Sequence, residues 1–342
     1  MTIESSIWAD GVFDCYHTGH ANAFRQSSKL GERLFAGVHS DADVQLQKGA
    51  APVMTEEERV LIVGACKWVD HVVGDAPWTT DLAVCEQHCG SNFYVAHGND
   101  DSLSHDGSDP YEYVKKAGRL KHFERTKGVS TTDLVSRLLE HESNQQLSPE
   151  ERSPYTGGNS FLLPSSLLAA FYDKCKPRKK GDSVVYIHGA FDILHPGHLD
   201  IIKEASRQYD HVIVGVWKDE VVTKHRGEPY PILSMQERSL MVLSLRGVDD
   251  VILGAPSSID DKFLSMLDID SVLAGPSMYG NFNPNENVSG NKLKILSIDS
   301  KFADFSYLTL TDRVLSRRHV YEERNRKKEA RELASIKNKS VA

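Results

Sequence analysis

The chain has 342 residues, enough for two domains of ordinary size, and 40% of them are hydrophobic, as in globular proteins. Its formal net charge of -8 argues against nucleic acid as the main partner, because duplex binding needs an electropositive surface. The cysteines are odd in number and lack a second thiol pair for a zinc site, which favours reduced thiols in a cytoplasmic protein: Cys15, Cys66, Cys85, Cys89 and Cys175.

In chain order, strands are predicted at residues 7–9 and 34–38, with a helix at about 21–29 between them. Strand, helix, strand in that order predicts a right-handed crossover and a parallel sheet. A helix at 55–68 opens with Thr55 and three glutamates, a capping-box pattern. The other predicted elements of this half are short strands at 72–73 and 93–96 and a helix at 131–140.

The composition shifts at residue 141 to Ser, Asn, Gln, Pro and Gly, which indicates a linker that contains a short helix at 164–174. The predicted organisation is therefore a first domain at 1–140, a linker at 141–180, a second domain at 181–320 and a charged tail at 321–342. The tail is dense in Lys, Arg and Glu, and we expect a solvated helix or frayed end. Contact of the tail with acidic lipid headgroups is the less favoured alternative.

No segment approaches the roughly 20 apolar residues of a membrane span, and the first residues do not resemble a signal peptide. We therefore expect a cytoplasmic protein without a transmembrane segment. Peripheral contact with a membrane, such as the surface of the endoplasmic reticulum, stays open.

The most informative feature is an internal repeat. Residues 11–20, Gly-Val-Phe-Asp-Cys-Tyr-His-Thr-Gly-His, return at 189–198 as Gly-Ala-Phe-Asp-Ile-Leu-His-Pro-Gly-His. A repeat this long predicts two copies of one domain. Each copy joins a strand to a helix N-terminus, which is a natural phosphate site. We expect Gly19 to allow a tight turn, so that His17 and His20 reach one phosphate.

The repeated turn, together with residues 125–132 (Arg-Thr-Lys-Gly-Val-Ser-Thr-Thr), resembles the cytidylyltransferase family, whose signatures are H-x-G-H and R-T-x-G-[IV]-S-T. The resemblance covers nearly the whole chain apart from the linker and tail. It implies two tandem, Rossmann-like, parallel-sheet nucleotidyltransferase domains of the α/β class. The tandem layout and the segment 95–100 resemble the branch of the family that acts on phosphoethanolamine.

The resemblance implies that CTP and phosphoethanolamine give CDP-ethanolamine and pyrophosphate, on the route to phosphatidylethanolamine. In-line attack on the α-phosphorus needs no covalent enzyme intermediate, so donors and cations matter more than a strong base. Mg²⁺ is expected to arrive with CTP, and no metal site of the protein is expected. The alternatives are phosphocholine as the acceptor, a transferase for another acceptor or nucleotide, and a non-catalytic nucleotide-binding scaffold.

The residues that carry the chemistry follow from the same resemblance. The implied catalytic residues are His17, His20, Lys48 and Arg125. Lys48 would bridge the reacting phosphates as a compact cation, and Arg125 offers a planar fork for phosphate oxygens. The implied CTP site adds Val12, Phe13, His97, Asp100, Thr126, Ser130 and Thr131. Solvated loops, helix caps and turns are the ordinary alternatives for these residue types.

The resemblance also implies a pocket for the amine end of the substrate, formed by Asp10, Lys48, Trp78 and Tyr111. Ordinary packing is an equally weighted alternative for the two aromatic residues. An aromatic face also suits the quaternary ammonium of choline, whereas the three N–H donors of ethanolamine reward hydrogen-bond acceptors.

The second copy keeps the repeated turn but changes most of the surrounding chemistry. Aligned on the first copy, the replacements are His188 for Asp10, Arg226 for Lys48, Ser257 for Trp78, Ala274 for His97, Ser277 for Asp100 and Asp304 for Arg125. An acid in place of a phosphate-binding cation predicts that the first half catalyses and the second is silent. The second half can still hold a nucleotide weakly through Ala190, Phe191, His195 and His198.

Segments 64–73 and 244–252 are matched in the two copies. In the related single-domain enzymes this region forms the dimer contact, so the resemblance implies that the two domains pack as an intramolecular pseudo-dimer. We expect a monomer in solution.

Overall fold

A computed structural model describes residues 5–99, 104–126, 128–140, 165–228, 230–275, 283–296 and 300–341. These residues form two parallel sheets of five strands each. The first sheet contains β1 (Ser6–Gly11), β2 (Arg33–His39), β3 (His71–Ala76), β4 (Phe93–Gly98) and β5 (Leu120–Phe123). The second sheet contains β6 (Val184–Gly189), β7 (His211–Trp217), β8 (Asp250–Ala255), β9 (Ser271–Ala274) and β10 (Leu293–Ile295).

Helices connect the strands and cover the sheets. In the first half they are α1 (Thr18–Ser27), α2 (Asp41–Lys48), α3 (Glu56–Ala65), α4 (Leu82–Cys89), α5 (Glu112–Lys116) and α6 (Thr131–Glu140). The linker contains α7 (Ser165–Phe171). The second half contains α8 (Pro196–Gln208), α9 (Asp219–Arg226), α10 (Met235–Leu243), α11 (Asp261–Met266), α12 (Tyr307–Ser316) and α13 (Arg318–Val341).

The strand order is the same in both sheets, β3-β2-β1-β4-β5 and β8-β7-β6-β9-β10. This is the order of the Rossmann mononucleotide-binding unit, so the fold class that the family resemblance implies is confirmed. Successive strands are added on one side of β1 up to β3 and on its other side from β4 onward, so the strand order switches between β1 and β4. Ligands of open α/β sheets bind in the crevice outside the carboxyl ends of the strands at such a point.

The predicted elements are present, but some are shorter and several were missed. The capping box of α3 is formed by Thr55 and Glu58, as the sequence predicted. The helix ends at Ala65 rather than Trp68, because Cys66 is extended and pairs with Leu245 of the other domain. Four short segments that the sequence analysis did not assign form α2, α4, α5 and β5.

A buried arginine holds the repeated turn of the first domain in place. The guanidinium of Arg59 is almost fully buried and donates to the carbonyls of Val12 at 2.7 Å and His39 at 2.8 Å. It also pairs with Asp41 at 2.7 Å. One side chain therefore joins the end of β1, the end of β2 and the start of α2.

Asp14 stabilises the same turn from the inside. Its carboxylate accepts from the backbone N–H groups of Val53 and Met54, both at 2.9 Å. The turn needs this support because Phe13 and Cys15 adopt left-handed backbone conformations, with φ of 52° and 44°. Such conformations cost about 1 kcal/mol or more each for residues other than glycine.

The second domain contains equivalents of both the buried arginine and the buried aspartate. Arg238 is fully buried and donates to the carbonyl of Ala190, while pairing with Asp219 at 2.7 Å. Asp192 accepts from the backbone N–H groups of Ile232 and Leu233 at 2.8 and 2.9 Å. The turn geometry is thus retained in the second domain independently of its changed surroundings.

The two domains pack through equivalent backbone segments. Lys67 N donates to the carbonyl of Ser244 at 2.9 Å, and Arg246 N donates to the carbonyl of Ala65 at 2.7 Å. Counted from the two capping boxes, Lys67 corresponds to Arg246 and Ala65 to Ser244. The paired contacts therefore place an approximate two-fold axis between the domains.

Two ion pairs repeat this symmetry. Arg137 of α6 reaches Glu237 of the second domain at 2.9 Å, and Arg313 of α12 reaches Glu58 of the first at 2.7 Å. Both carboxylates are nearly buried and also belong to capping boxes. One hydrophobic cluster extends through both domains. The interface between the two domains is therefore packed like a protein core.

The charged C-terminal segment is helical, as one of the sequence alternatives proposed, but its beginning is packed and not solvated. Tyr321 is fully buried, and its hydroxyl donates to the carbonyl of Ala51 in the first domain at 3.2 Å. Asn325 donates to Ser136 Oγ of α6 at 3.1 Å. None of the helices among the described residues is long and apolar enough to cross a bilayer.

Replacing Arg313 with methionine should lower the free energy of unfolding by ~2 kcal/mol, because Glu58 would keep a nearly buried charge without its partner. Symmetry predicts a similar loss for Arg137→Met. Equilibrium denaturation in urea measures both. Arg317→Met, at an exposed position directly after α12, is the control. Losses no larger than that of the control would contradict the structural role of the pairs.

Candidate active site

A cleft of the first domain lies at the carboxyl end of β1, beside β4, and between the N-termini of α1 and α6. The helix N-termini bring unpaired backbone N–H groups and a positive dipole end. Thr131, the first residue of α6, donates its hydroxyl to the carbonyl of Asp14 at 2.9 Å. This bond fixes the two helix starts relative to each other, so both can face one anion.

His17 and His20 form a stacked pair in this cleft. Their ring centroids are 3.8 Å apart, and His17 Nδ1 accepts from the backbone N–H of Gly19 at 3.1 Å. That bond leaves the other ring nitrogen of His17, Nε2, as the N–H donor. A Cβ on Gly19 would lie 2.9 Å from the His17 ring and 3.1 Å from Val129, so the glycine is required for close packing inside α1. The sequence prediction assigned it to a tight turn instead.

Both imidazoles are held neutral. Burial is the largest cause that lowers the pKa of His17, followed by the charge of His20 and then of Arg125. The pKa of His20 is lowered to about 3 by burial, then by Lys48 and Arg125. At neutral pH the pair therefore offers N–H donors without carrying a charge of its own.

Lys48 and Arg125, the two cations that the sequence analysis assigned to the site, both lie near His20. Lys48 is the last residue of α2, followed by Gly49 with φ of 73°, and its ammonium lies 6.0 Å from the Trp78 ring. Part of the lysine stays open to solvent, while desolvation of the ammonium lowers its pKa to about 8. Arg125 is exposed at the edge, and its backbone N–H donates to Asn99.

The segment before α6 supplies hydroxyl groups. Thr126 is buried and accepts from the side-chain amide of Asn22 at 2.9 Å, which leaves its own O–H available as a donor. Ser130 accepts from the N–H of Asp133 as a helix cap and likewise keeps its O–H. Sequence analysis missed Asn22, and no signal marked it, because its role depends on a contact across 104 residues.

Val12 and Phe13 support the cleft from below. The carbonyl of Val12 is bound by Arg59. The Phe13 ring packs edge-on against His20, with centroids 5.4 Å apart. These contacts orient the histidine pair.

A carboxylate lies at the end of β1. Asp10 accepts from the hydroxyl groups of Tyr111 and Thr80, both at 2.7 Å, and from the indole N–H of Trp8 at 2.9 Å. Three donors fix the carboxylate in one orientation. Because two carboxylate oxygens accept about four hydrogen bonds, one acceptor position remains. Thr80 was not among the predicted site residues.

Aromatic rings form the walls of this pocket. The Tyr111 ring packs against His97, with centroids 4.3 Å apart, and the Trp78 ring packs against His39 at 4.9 Å. Trp78 also donates to Ser104 Oγ at 3.2 Å. The structure thus brings Asp10 and Tyr111 into direct contact and places Trp78 beside Lys48. Asp100 and Ser277 lie outside the described residues.

The second cleft keeps the histidine pair but not the carboxylate. His195 and His198 have centroids 3.7 Å apart. At the position of Asp10, His188 contacts Asn285 at 2.8 Å and accepts from the indole of Trp217 at 3.2 Å. Burial lowers the pKa of His188 to about 4, so it is neutral. The second pocket therefore offers an ammonium ion no negative charge from this position.

Aromatic residues occupy the phosphate side of the second cleft. Arg226, which corresponds to Lys48, stacks on the Tyr307 ring at 3.9 Å. Tyr307 is the first residue of α12 and therefore corresponds to Thr131 of α6. Tyr230 packs on the same ring, with centroids 4.6 Å apart. A hydroxyl of the first cleft is thus replaced by a ring that engages the second cleft's cation.

One alignment made from the sequence is wrong. The equivalent ion pairs of Arg137 and Arg313 place Ser306, the cap of α12, opposite Ser130. In that register Lys301 stands opposite Arg125, and Asp304 stands three residues further along. Lys301 contacts Glu57 of the first domain. The difference between the clefts therefore lies in His188, Arg226 and Tyr307 rather than in an acid at the place of Arg125.

The donor set of the first cleft does not suit a resident metal ion. Across the part of the chain that the structure describes, no three His, Cys, Asp or Glu side chains come together as a metal-binding group. Imidazoles, an ammonium and a guanidinium surround the cleft, whereas Mg²⁺ prefers oxygen ligands.

Comparison with known proteins matches both domains to one family. The cytidylyltransferase-like family model matches residues 8–137 and 186–330. An ethanolamine-phosphate cytidylyltransferase of Dictyostelium discoideum is 39% identical over 351 residues, covering 96% of each chain. That of Mus musculus is 37% identical and covers 96% of this chain and 90% of its own. Choline-phosphate cytidylyltransferase 2 of Arabidopsis thaliana is 40% identical but covers only 39% of this chain and 44% of its own.

Acid should destabilise the fold through its buried histidines. Burial, and then the charge of Arg226, lowers the pKa of His195 to about 3, whereas an unfolded histidine titrates near ~6.5. Between these values the unfolded chain binds more protons, so the free energy of unfolding falls as the pH falls. For His195 alone we expect a loss of about 2 kcal/mol between pH 7 and pH 5.

Urea denaturation at pH 7 and pH 5 measures this effect. In His195→Gln the loss of stability between the two pH values should be smaller than in the wild type by about 1–2 kcal/mol. His319→Gln, at an exposed position, is the control and should lose as much as the wild type. Equal losses in all three proteins would contradict the buried, neutral state of His195.

Proposed function

The chain belongs to the cytidylyltransferase-like family, and we propose that it transfers CMP from CTP to phosphoethanolamine, giving CDP-ethanolamine and pyrophosphate. The observation that carries this proposal is the first cleft, where the Asp10 carboxylate lies at the end of β1 and the His17–His20 pair follows that strand. One group suits phosphates and the other suits an ammonium. The relatives that match nearly the whole chain carry the same activity in their names.

The reaction is an in-line displacement at the α-phosphorus of CTP. A phosphate oxygen of phosphoethanolamine forms the new bond to the α-phosphorus, and the bond from that phosphorus to the bridging oxygen of the β-phosphate breaks. Pyrophosphate leaves with the electron pair of that bond. Negative charge therefore grows on the departing pyrophosphate, and fixed donors and cations stabilise it.

His17 and His20 supply neutral donors to the phosphates. The bond from Gly19 N–H to Nδ1 fixes the tautomer of His17, so Nε2 carries the proton that points to the ligand. Because the ring is already oriented, no rearrangement is needed as charge develops. Neutral imidazoles also avoid repulsion with Lys48 and Arg125 before the substrate enters.

Lys48 bridges the two reacting phosphates, and Arg125 binds the triphosphate at the edge. With a pKa of about 8, Lys48 is mostly protonated at neutral pH. The hydroxyl groups of Thr126 and Ser130 and the N-terminus of α6, at Thr131, bind the remaining phosphate oxygens. His97 and Asp100 are assigned to the base or ribose. Mg²⁺ would arrive with CTP and would supply positive charge to its phosphates.

The ammonium of phosphoethanolamine binds at Asp10, and Tyr111 and Trp78 enclose it. A primary ammonium donates three hydrogen bonds, and the remaining acceptor position of Asp10 receives one of them. A trimethylammonium group cannot donate, which disfavours choline here. In the second cleft His188 replaces this carboxylate, so we propose that the second domain is catalytically silent and retains at most weak nucleotide binding through Ala190, Phe191, His195 and His198.

The paired interface contacts support a monomer whose domains form an intramolecular pseudo-dimer, since each domain covers the surface that its counterpart would offer to a second chain. A cytoplasmic location fits the five cysteines, which are all unpaired thiols.

Pyrophosphate release tests the proposed reaction. Purified protein with CTP and Mg²⁺ should release pyrophosphate with phosphoethanolamine, and kcat/KM for phosphocholine should be at least ~10-fold lower, because choline lacks the hydrogen bonds to Asp10. Comparable or faster turnover with phosphocholine would assign the choline reaction. No release with either acceptor would leave a nucleotide-binding scaffold.

A matched pair of variants tests which cleft reacts. His20→Ala should lower kcat by ~100-fold or more, because a preorganised phosphate donor is lost. His198→Ala occupies the equivalent position in the second cleft and should change kcat by less than about threefold. Thermal unfolding of both variants controls for stability. A larger loss of turnover in His198→Ala would contradict the assignment.

A further inference from the structure

The helix that follows the second domain returns to the cleft of the first. α13 starts at Arg318, directly after α12, and its first turns lie against the loop after Lys48 and against α6. The Tyr321 hydroxyl donates to the carbonyl of Ala51. The side chain of Asn325 contacts Ser136 Oγ at 3.1 Å and the carbonyl of Thr132 at 3.5 Å. The helix therefore spans the two segments that border the proposed phosphate site.

One face of α13 makes these contacts. Tyr321, Arg324, Asn325 and Lys328 have the spacing i, i+3, i+4 and i+7, which places them on one side of a helix. All four are buried or half-buried, whereas the intervening residues 322, 323, 326 and 327 are exposed. Two cations thus lie on the packed face of the helix, whereas the charged residues at 322, 323, 326 and 327 face solvent.

Lys328 is held at the beginning of α6. Its ammonium donates to Thr132 Oγ1 at 3.1 Å. The preceding residue, Thr131, binds the carbonyl of Asp14 in the repeated turn. The start of a helix is already positive because its first N–H groups are unpaired. A lysine at this position adds charge of the same sign.

Arg324 adds a further positive charge. Within the described residues its guanidinium contacts no carboxylate, and its hydrogen bonds go to Asn325 Oδ1 at 3.3 and 3.2 Å. After desolvation, Arg324 and then Lys328 are the next largest causes that lower the pKa of Lys48. Lys328 also lowers the pKa of His17. Like charges therefore converge on the cleft, an arrangement that an anion with several charges would stabilise.

We propose that Arg324 and Lys328 bind the β- and γ-phosphates of the nucleoside triphosphate in the first cleft. A helix encoded after the second domain thereby completes the substrate site of the first. The identity of the nucleotide rests on the proposed function, whereas the binding of a polyphosphate rests on the contacts of α13. In this arrangement the second domain contributes to the first site, because it carries the helix to the cleft.

Calorimetric binding with three ligands, CTP, CMP and inorganic triphosphate, tests the proposal on the full chain. The double variant Arg324→Gln/Lys328→Gln should bind CTP and triphosphate about tenfold more weakly, because two cations near the phosphates are lost. Its Kd for CMP should stay within about twofold, since CMP lacks the outer phosphates. The control Arg326→Gln/Lys327→Gln removes the same charge from the exposed face and should leave all three values unchanged.

The outcomes are distinct. Arg324→Lys/Lys328→Arg, which keeps both charges, should restore most of the CTP affinity if charge is what matters. Equal weakening of CTP and CMP, or equal Kd values for CTP in the double variant and the control, would overturn the proposal, because either result makes α13 a structural support only. Tight binding of CTP and triphosphate without turnover of phosphoethanolamine would contradict the proposed function but not this one.

Discussion

The architecture depends on a guanidinium buried beneath the turn that carries the histidines. Arg59 binds carbonyls at the ends of β1 and β2 and at the start of α3, and it pairs with Asp41. Together with the bonds that Asp14 accepts, these bonds hold the left-handed residues Phe13 and Cys15 in their strained conformation. The stacked imidazoles are therefore positioned by a side chain that itself contacts no substrate atom in the proposed reaction.

The second domain keeps the buried arginine beneath its turn but differs from the first in the residues that line its cleft. Arg238 repeats the bonds of Arg59, and the rings of the second histidine pair lie as close together as those of the first. The differences are at the ligand side, where His188 removes the carboxylate and Tyr307 engages the cation. Fold stability and ligand chemistry can diverge in this way because the buried polar network and the cleft surface share few side chains.

The approximate two-fold axis explains why a helix that follows the second domain lies at the cleft of the first. α6 and α12 meet near the axis, each sending an arginine to a capping-box glutamate of the other domain. Because α12 contacts α6, the residues that follow α12 begin beside the first cleft. Helix α13 starts there and packs against the first domain. The packing of α12 against α6 thus brings α13 to the site in the first domain without a long loop between α12 and α13.

The sequence by itself determined the repeat, the α/β class, the capping box at Thr55 and the histidine pair, because these are local patterns of spacing and residue type. The other residues of the first cleft entered as what the resemblance to the cytidylyltransferase family implies. Tertiary structure alone decided which side chains fix them: the amide of Asn22 on Thr126, the packed face of α13, and the register in which Lys301 stands opposite Arg125. These contacts join residues far apart in the chain. Hydrophobic period and helix caps carry no information about such pairings, which only the packing of complete domains establishes.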